Sequence, residues 1–348
     1  MRRHVIWRGD EPVSTILVGH GVSSVLPELL ARRTGRRVAV LCQPSTVTLA
    51  ERYANDLHRS GFEVSGYTLP DGEEAKQLGI VEDVYRFLNG AKFTRDDIVI
   101  GVGGGALTDV TGFIAATYLR GVSAMYVATT LLAAVDAAIG GKTAVNVDGK
   151  NLAGVFSHPE AVIVDIDTID ALPRRHKIVG AAEAIKTGFI ADTGIIAAFE
   201  ADGIDTDLED IVNRSVAVKV AVVNEDFTER GSRAVLNYGH TVGHAIESTT
   251  GRPHGEAVAI GMVAAGHAAA HHLGFAGVTR QQDVLVRMGL PLTAPEADAE
   301  AVRAMMALDK KRDSQGLRMV LLEEFGSPVL IHPDDATVRA ALAGIDLV

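Results

Sequence analysis

The first half of the chain alternates short apolar runs with longer amphipathic stretches. The apolar runs, each predicted as a buried strand, are residues 37–42, 62–67, 97–102, 123–127 and 161–165. Residues 46–60 have helical periodicity and separate the first two runs. Strands separated by helices of about ten or more residues are typical of parallel βαβ units. The pattern therefore predicts an α/β domain with an open, parallel, Rossmann-like sheet.

The second half has a different pattern, because helical periodicity dominates from Ile178 onward. Helices are predicted over residues 178–190, 208–224, 240–249, 256–273, 279–288 and 298–308, and one late strand over 317–322. This predicts a mainly α-helical C-terminal domain. The sheet pattern stops near Leu172-Pro173, so we expect one domain over residues 1–173 and another over 174–348.

Composition narrows the class of protein. The net charge is −11 and there is no basic stripe, which argues against a nucleic-acid partner. No apolar run is long enough to span a bilayer, and none follows the basic N-terminus, so neither a membrane segment nor a secretory signal is expected. The single cysteine, Cys42, excludes an internal disulfide and fits a reducing compartment. We expect a soluble cytoplasmic protein.

A glycine-rich turn follows the third predicted strand. Its sequence, Gly101-Val102-Gly103-Gly104-Gly105-Ala106, fits a relaxed dinucleotide fingerprint, and a helix carrying Asp109 follows. Glycines let the backbone approach a pyrophosphate, which the helix N-terminus favours. The alternative is a tight turn that needs positive φ. The position is unusual, because the turn follows the third predicted strand, whereas in a simple dinucleotide fold it follows the first.

The segment Asp136–Asn151 is too polar for a core, with two lysines, two aspartates and two asparagines. Gly140-Gly141-Lys142-Thr143 lacks the first glycine and the spacing of a P-loop, so we reject that interpretation. The segment is either a solvated loop or the lining of a binding site.

Three histidines point to metal chemistry. His240 and His244 share one helix face, and His254 follows a Gly-Arg-Pro turn. Glu183, on the helix predicted over 178–190, is a candidate third ligand with His240 and His254. One carboxylate and two imidazoles suit zinc or cobalt and leave coordination positions open, as catalytic sites do. For Glu183, the alternative is an ordinary intrahelical ion pair with Lys186. For His244, two roles stay open: a metal ligand, or a group that orients a ligand or binds the substrate.

Taken together, these motifs resemble the 3-dehydroquinate synthase family of sugar phosphate cyclases. The matching stretches are 103–109, 115–121, 129–132, Asp136, 140–143, 149–151, 182–186, 236–240, His244, 254–256 and 309–311. They run in family order from about Asp71 to Leu322, over most of the chain. Two departures stand out: the connection 245–253 is short and lacks aromatic residues, and Leu107-Thr108 precedes Asp109 where a bulky residue and glycine are commoner.

The resemblance implies a dehydroquinate synthase-like fold and a carbon–oxygen lyase with NAD and one divalent metal, zinc or cobalt. The implied reaction converts 3-deoxy-D-arabino-heptulosonate 7-phosphate to 3-dehydroquinate and phosphate, in the shikimate pathway. The implied metal ligands are Glu183, His240 and His254. The implied NAD-binding residues are Glu73, Lys76, Gly104, Gly105, Asp109, Thr129, Thr130, Asp136, Lys142 and Lys150.

The resemblance also assigns substrate-binding and catalytic positions. Those implied for the substrate carboxylate and hydroxyls are Lys142, Lys219 and Arg233, and those for the phosphate are Asn151, Asn237, His244 and Lys310 or Lys311. Asp136 and Lys186 match further catalytic positions. Arg120 is expected to reach the phosphate in the neighbouring subunit, which implies a homodimer.

Three alternatives stay open at this stage. The first is another sugar phosphate cyclase: an aminodehydroquinate, deoxy-scyllo-inosose or epi-valiolone synthase. The second is a metal-dependent polyol dehydrogenase, which would form NADH in net amounts and would not need the cationic cluster. The third is a catalytically inactive NAD-binding protein, which predicts a missing ligand or cation. Because the family's residues are all present, we expect the synthase, with aminodehydroquinate synthase the hardest alternative to exclude.

Overall fold

The computed structural model describes residues 1–312 and 316–347, and for residues 308–312 it describes the backbone alone. The chain forms two compact units. The first comprises Met1–Leu172 together with Lys219–Thr228, and the second comprises Pro173–Val218 and Glu229–Val348. The inclusion of residues 219–228 in the first unit was not anticipated from the sequence, because it depends on tertiary contacts.

The first unit is built on a sheet. Its strands are β1 (Arg2–Arg8), β2 (Glu11–Gly19), β3 (Arg37–Cys42), β4 (Glu63–Thr68), β5 (Ile98–Gly103), β6 (Ser123–Ala128), β7 (Lys142–Val145), β8 (Ala153–Phe156) and β9 (Ala161–Asp165). The main sheet has the order β1-β2-β9-β6-β5-β3-β4. All its neighbours pair in parallel except β1 and β2, which form an antiparallel hairpin.

The predicted parallel sheet is confirmed, but the prediction missed its first two strands. The glycine-rich turn therefore follows the fifth strand, β5, and not the third. β1 was missed because it is an edge strand on which Ile6 alone is fully buried, so its residues carry no continuous apolar run.

Helices cover both faces of this sheet, which explains the unbroken apolar runs in its central strands. The helices are α1 (Leu26–Leu30), α2 (Val47–Arg59), α3 (Leu78–Gly90), α4 (Gly105–Thr117) and α5 (Ile166–Asp170). Side chains of β3 alternate between the two cores: Val38 and Val40 pack with α2, and Ala39 and Leu41 pack with α3 and α4.

The polar segment 136–151 is neither a simple loop nor core. A π-helical turn at Ala133–Ala137 leads into β7, which pairs antiparallel with β8. Asp148 and Asn151, in the connection between these strands, have positive φ of 53° and 59°. The hairpin thus holds part of the polar segment in a fixed position, and its tip is exposed.

The second unit is mainly helical, as predicted. Its elements are α6 (Arg174–Ile190), α7 (Thr193–Asp202), α8 (Leu208–Glu225, of which the residues from Lys219 on belong to the first unit), α9 (His240–Thr250), α10 (His254–Leu273), α11 (Val278–Arg287), α12 (Ala299–Arg312), β10 (Met319–Glu324), β11 (Ser327–Ile331) and α13 (Asp335–Ala343). β10 and β11 form an antiparallel hairpin. The sequence pattern missed α7, β11 and α13. None of the helices in the described part of the chain has the length and apolarity needed to cross a membrane.

Two glycines bring α10 close to its neighbours. A Cβ at Gly255 would lie 1.9 Å from the carbonyl oxygen of Val179 in α6, and a Cβ at Gly261 would lie 1.9 Å from the carbonyl oxygen of Gly239, just before α9. Contacts this short leave no room for any side chain. The backbone of α10 therefore lies close both to α6 and to the residue that precedes α9.

We predict that Gly261→Ala destabilises the protein by about 2 kcal/mol or more, because its methyl group meets backbone rather than a movable side chain. Gly79→Ala, in α3 with no atom near the added methyl, is the matched control and should change stability little. Chemical denaturation of the two variants measures the difference. Equal stability of both variants would show that α10 can shift without cost.

Candidate metal centre and the polar network of the first unit

Three side chains from different helices of the second unit converge on one point. The Oε1 atom of Glu183 lies 3.1 Å from Nε2 of His254 and 3.4 Å from Nε2 of His240. One ligand atom from each residue lies within 4.8 Å of the other two. Glu183 comes from the middle of α6, His240 is the first residue of α9, and His254 is the first residue of α10. The structure thus brings together the three candidate ligands.

Hydrogen bonds fix which nitrogen of each imidazole faces Glu183. Nδ1 of His240 lies 3.1 Å from the carbonyl oxygen of Tyr238, which can only accept, so Nδ1 carries the proton. Nδ1 of His254 lies 2.9 Å from Oε2 of Glu247. Both Nε2 atoms are therefore turned toward Glu183. The short connection before His254 does not prevent its approach.

The donor set and its spacing fit a divalent metal. Ligand atoms about 2.05 Å from a tetrahedral zinc lie about 3.3 Å from one another, and the two distances from Glu183 to the imidazoles bracket that value. Burial lowers the pKa of His240, and the neighbouring Lys186 lowers it further, well below its usual range. The imidazole of His240 is therefore neutral, which is the form that binds metal.

Electrostatics around Glu183 also favour a cation. Burial raises the pKa of Glu183, but the charge of Lys186 and the hydrogen bond from His254 outweigh burial and hold it well below the usual range. Burial lowers the pKa of His254, but hydrogen bonds to Glu183 and Glu247 outweigh burial and raise it to about 9. Without metal, His254 is therefore charged at neutral pH. A proton then lies beside Glu183, close to the position a metal would take.

The ion pair between Glu183 and Lys186 is not an ordinary surface pair. Both residues are buried, with exposures of 1% and 2%. Arg233, on a short 3-10 helix, is a second buried cation of this unit, and Asn237 donates a hydrogen bond from Nδ2 to Oε1 of Glu229 at 2.9 Å. Such a concentration of buried charge is typical of functional sites.

His244 lies beside the three candidate ligands but does not belong to the set that includes Glu183. Its ring centroid is 4.9 Å from that of His240 and 5.9 Å from that of His254, and its side chain is exposed. It forms a second potential ligand group with Glu247 and His254.

The sequence reasoning missed Glu247. It lies seven residues after His240 and three after His244, and so on the same face of α9. That spacing is the signal that could have identified it.

In the first unit, a buried lysine organises a second group of candidate residues. Lys76, only 1% exposed, lies with Nζ 2.6 Å from Oδ2 of Asp109 and also donates to Oδ1 of Asn151. Burial raises the pKa of Asp109, although Lys76 opposes the rise. Asp109 and Asn151, which are far apart along the chain, thus both contact the buried ammonium group of Lys76. All three residues were predicted from the sequence to belong to the site.

Glu73 extends this network. Its Oε2 accepts a hydrogen bond from Asn146 at 2.9 Å, and its Oε1 lies 3.2 Å from Nζ of Lys150. Burial raises the pKa of Glu73, but Lys76, Asn146 and Lys150 outweigh burial and lower it. The residues expected to bind NAD in this part of the unit are therefore held together by charge.

A second ion pair lies near the π-helical turn. Lys219, almost completely buried, donates both to the backbone carbonyl and to the carboxylate of Asp136. Lys142, the first residue of β7, has an exposed side chain. Arg120 and the preceding Leu119 both have positive φ, at 67° and 50°. The side chains of Lys310 and Lys311 lie outside the described part of the structure.

The glycine-rich turn owes its composition to close packing rather than to positive φ, since none of its glycines has positive φ. A Cβ at Gly103 would lie 2.4 Å from a methyl carbon of Leu107, and one at Gly105 would lie 2.9 Å from Cβ of Ala137. Gly104 immediately precedes α4. Thr129, at the end of β6, donates its backbone N–H to the carbonyl of Gly103 at 3.0 Å.

Thr130 caps the turn that follows β6, where its Oγ1 accepts a hydrogen bond from the N–H of Ala133 at 3.2 Å. A methyl carbon of Thr130 would lie 3.1 Å from a Cβ at Gly104. The adjacent C-terminal ends of β5 and β6 thus bring together Gly104, Gly105, Thr129 and Thr130. This is the edge where open α/β sheets bind ligands.

The chain thus combines an α/β unit, with polar and glycine residues at the ligand-binding edge of its sheet, and a helical unit with a candidate metal centre. Residues 66–179 match the 3-dehydroquinate synthase N-terminal family, and residues 180–312 match the 3-dehydroquinate synthase C-terminal family. Together these matches cover more than half of the chain. The chain belongs to the 3-dehydroquinate synthase family.

Individual relatives agree with this assignment. The chain is 42% identical to 3-dehydroquinate synthase of Thermobifida fusca, over 95% of this chain and 93% of the relative. It is 41% identical to 3-dehydroquinate synthase of Mycobacterium leprae, over 96% of both chains. Among solved structures, a 2-deoxy-scyllo-inosose synthase complexed with carbaglucose-6-phosphate, NAD+ and Co2+ has a TM-score of 0.88 and 26% identity, with both chains fully covered.

We predict that the metal-free protein loses stability as the pH rises from about 6.5 to about 9. The pKa of His254 is about 9 in the folded state and 6.5 ordinarily, so the folded state binds this proton more tightly. The contribution is complete below pH 6.5 and is lost as the pH rises through 9. It is of the order of 3 kcal/mol.

Urea unfolding in the presence of a chelator, repeated across this pH range, measures the effect. His254→Gln is the comparison, because it removes the titrating group and should flatten this part of the pH dependence. If wild type and variant lose stability in parallel, His254 is not the group responsible.

Proposed function

We propose that this protein is a 3-dehydroquinate synthase. It converts 3-deoxy-D-arabino-heptulosonate 7-phosphate to 3-dehydroquinate and phosphate through transient oxidation, elimination of phosphate, reduction and intramolecular aldol closure. The observation that carries this proposal is the convergence of Glu183, His240 and His254 in a chain of this family. As a carbon–oxygen lyase of the shikimate pathway, it takes a phosphorylated sugar acid as substrate.

NAD and one divalent metal are the proposed cofactors. The related 2-deoxy-scyllo-inosose synthase was solved with NAD+ and Co2+, and the donor set of this chain suits zinc or cobalt. When bound, the metal lowers the pKa of a substrate hydroxyl, and NAD accepts and returns a hydride. We assign the metal to Glu183, His240 and His254, and NAD binding to residues 1–173.

The NAD-binding residues are proposed to lie in and around the polar network of the first unit. They are Glu73, Lys76, Gly104, Gly105, Asp109, Thr129, Thr130, Asp136, Lys142 and Lys150. In support, burial and hydrogen bonding hold Lys76 and Asp109 in place before any ligand arrives. A preorganised polar site loses little entropy on binding.

The cationic side chains are proposed to orient the substrate. Lys142, Lys219 and Arg233 hold its carboxylate and hydroxyls, and Lys186 and Asp136 occupy further catalytic positions. Asn151, Asn237, His244 and Lys310 or Lys311 hold its phosphate. Charge-assisted hydrogen bonds of this kind fix a multiply charged substrate in one geometry. Since Lys186, Lys219 and Arg233 are buried, they keep their positions without the entropy cost of ordering surface chains.

We further propose that the enzyme is a homodimer in which Arg120 serves the active site of the neighbouring subunit. The proposal rests on the family motif. It agrees with the positive φ at Leu119 and Arg120, because strained backbone of this kind is often found at functional positions. We also propose a cytoplasmic location, which the single cysteine favours.

Among related reactions, the sequence comparison favours dehydroquinate formation. Identity is 42% to a curated 3-dehydroquinate synthase and 26% to the 2-deoxy-scyllo-inosose synthase. Aminodehydroquinate synthase remains the alternative, because its substrate has both the carboxylate and the phosphate that the proposed cations would bind.

The direct test of function is an assay of phosphate release by purified protein with NAD and Zn2+ or Co2+. We expect phosphate and a carbocyclic product from the heptulosonate, far less from the amino analogue, and no net accumulation of NADH. Faster turnover of the amino analogue would assign the chain to the alternative. Net NADH formation from a simple polyol, without phosphate release from the heptulosonate, would contradict the cyclase assignment.

The metal assignment is tested separately by His240→Ala, which should abolish metal retention because it removes one of three ligands. His58→Ala, on the exposed surface of α2, is the control and should keep the wild-type metal content. Metal content after gel filtration, measured by atomic emission, gives the answer. Full occupancy in His240→Ala would exclude the proposed ligand set.

A further inference from the structure

Both ring nitrogens of His254 face a carboxylate. Nε2 is 3.1 Å from Oε1 of Glu183, and Nδ1 is 2.9 Å from Oε2 of Glu247. Glu183 belongs to the candidate ligand set, whereas Glu247 approaches the imidazole from the opposite side of the ring. The side chains of Glu247 and His254 are both largely buried, with 14% and 22% exposure. Their hydrogen bond is therefore shielded from competition with water.

The backbone around Glu247 is well suited to hold this contact. Glu247 lies in the last two turns of α9, and only three residues separate the end of that helix from His254. Gly251 ends the helix with φ of 72°, and the N–H of Arg252 donates to Oγ1 of Thr250 at 3.2 Å. Residues 251–253 thus form a tight turn between the two helices.

The chemistry of the pair determines the tautomer of the imidazole. An ionised carboxylate can only accept, so Glu247 requires a proton on Nδ1 of His254. When a metal is bound, the imidazole is neutral and carries one proton. With that proton held on Nδ1, the lone pair of Nε2 is directed toward Glu183 and His240.

We propose that Glu247 is a positioning residue for the metal centre, which holds His254 in the orientation and tautomer that present Nε2 to the metal. The inference rests on the proposed metal site. The turn over residues 251–253 supports the contact, because Glu247 and His254 lie on opposite sides of it. Outer carboxylates on metal-binding histidines typically change metal affinity by about 10- to 100-fold.

The test compares three variants in the full-length protein by competition for Zn2+ with a chromophoric chelator. Glu247→Ala removes the acceptor and should weaken zinc binding by about 10- to 100-fold. Glu247→Gln can still offer a carbonyl oxygen to Nδ1–H and should weaken binding less. Glu256→Gln is the control, because it also removes one negative charge near His254. The carboxylate of Glu256 pairs with Arg252 and Arg175 and not with His254, so the zinc affinity of this variant should stay close to wild type.

A second readout separates positioning from a structural role. The visible absorption of Co2+-loaded protein reports the geometry of the ligands, and it should change in Glu247→Ala but not in Glu256→Gln. Urea unfolding of the metal-free variants controls for loss of fold. A Glu247→Ala protein that folds normally and binds Zn2+ as tightly as wild type would overturn the proposal.

Three further outcomes distinguish a positioning role of Glu247 from a role as ligand and from failure of the whole metal site. If Glu247 were itself a ligand in the group with His244 and His254, His244→Ala would also lose metal, and the positioning role would be wrong. If His240→Ala retains metal, the proposed metal site fails as a whole. Loss of metal in His240→Ala with unchanged affinity in Glu247→Ala would reject the positioning role alone.

Discussion

The structure of the second unit depends on one buried carboxylate. Glu183 is almost completely inaccessible, and a cation and two imidazoles, from Lys186, His240 and His254, surround it. A buried ionised group is tolerated only when it is paired and hydrogen-bonded. A divalent ion can also pair with the buried carboxylate, and it carries two positive charges on a single atom. The arrangement that stabilises Glu183 in the metal-free chain is therefore also one that suits a divalent metal.

This convergence requires close packing, which the glycines provide. His240 and His254 each begin a helix, and α10 packs closely both against α6 and against Gly239, the residue before His240. Gly255 and Gly261 allow approaches that no other residue would permit. The first unit uses glycine in the same way at Gly103, where α4 packs against the end of β5. At Gly103, Gly255 and Gly261, none of which has positive φ, glycine therefore allows close approach rather than an unusual backbone conformation.

Much of the fold follows from the sequence, because its strongest signals are long and periodic. The strand over 37–42 has the predicted bounds, since both of its faces are buried. The helical spacing of His240 and His244 indicated metal chemistry in this part of the chain, although the structure groups His240 with Glu183 and His254 rather than with His244. Glu247 was not found, since a glutamate near the end of a helix is usually a surface charge. The contact of Lys76 with Asn151 could not be predicted, because it spans 75 positions and depends on the hairpin that places Asn151.

The central claim is that one carboxylate and two Nε2 atoms share a metal ion. The most direct measurement is the anomalous diffraction of a crystal grown with Zn2+, recorded at the zinc absorption edge. The account predicts one strong peak at about 2.0–2.2 Å from an Oε atom of Glu183 and from Nε2 of both His240 and His254. A peak bound through Nδ1 of either histidine, or one that does not contact Glu183, would contradict it.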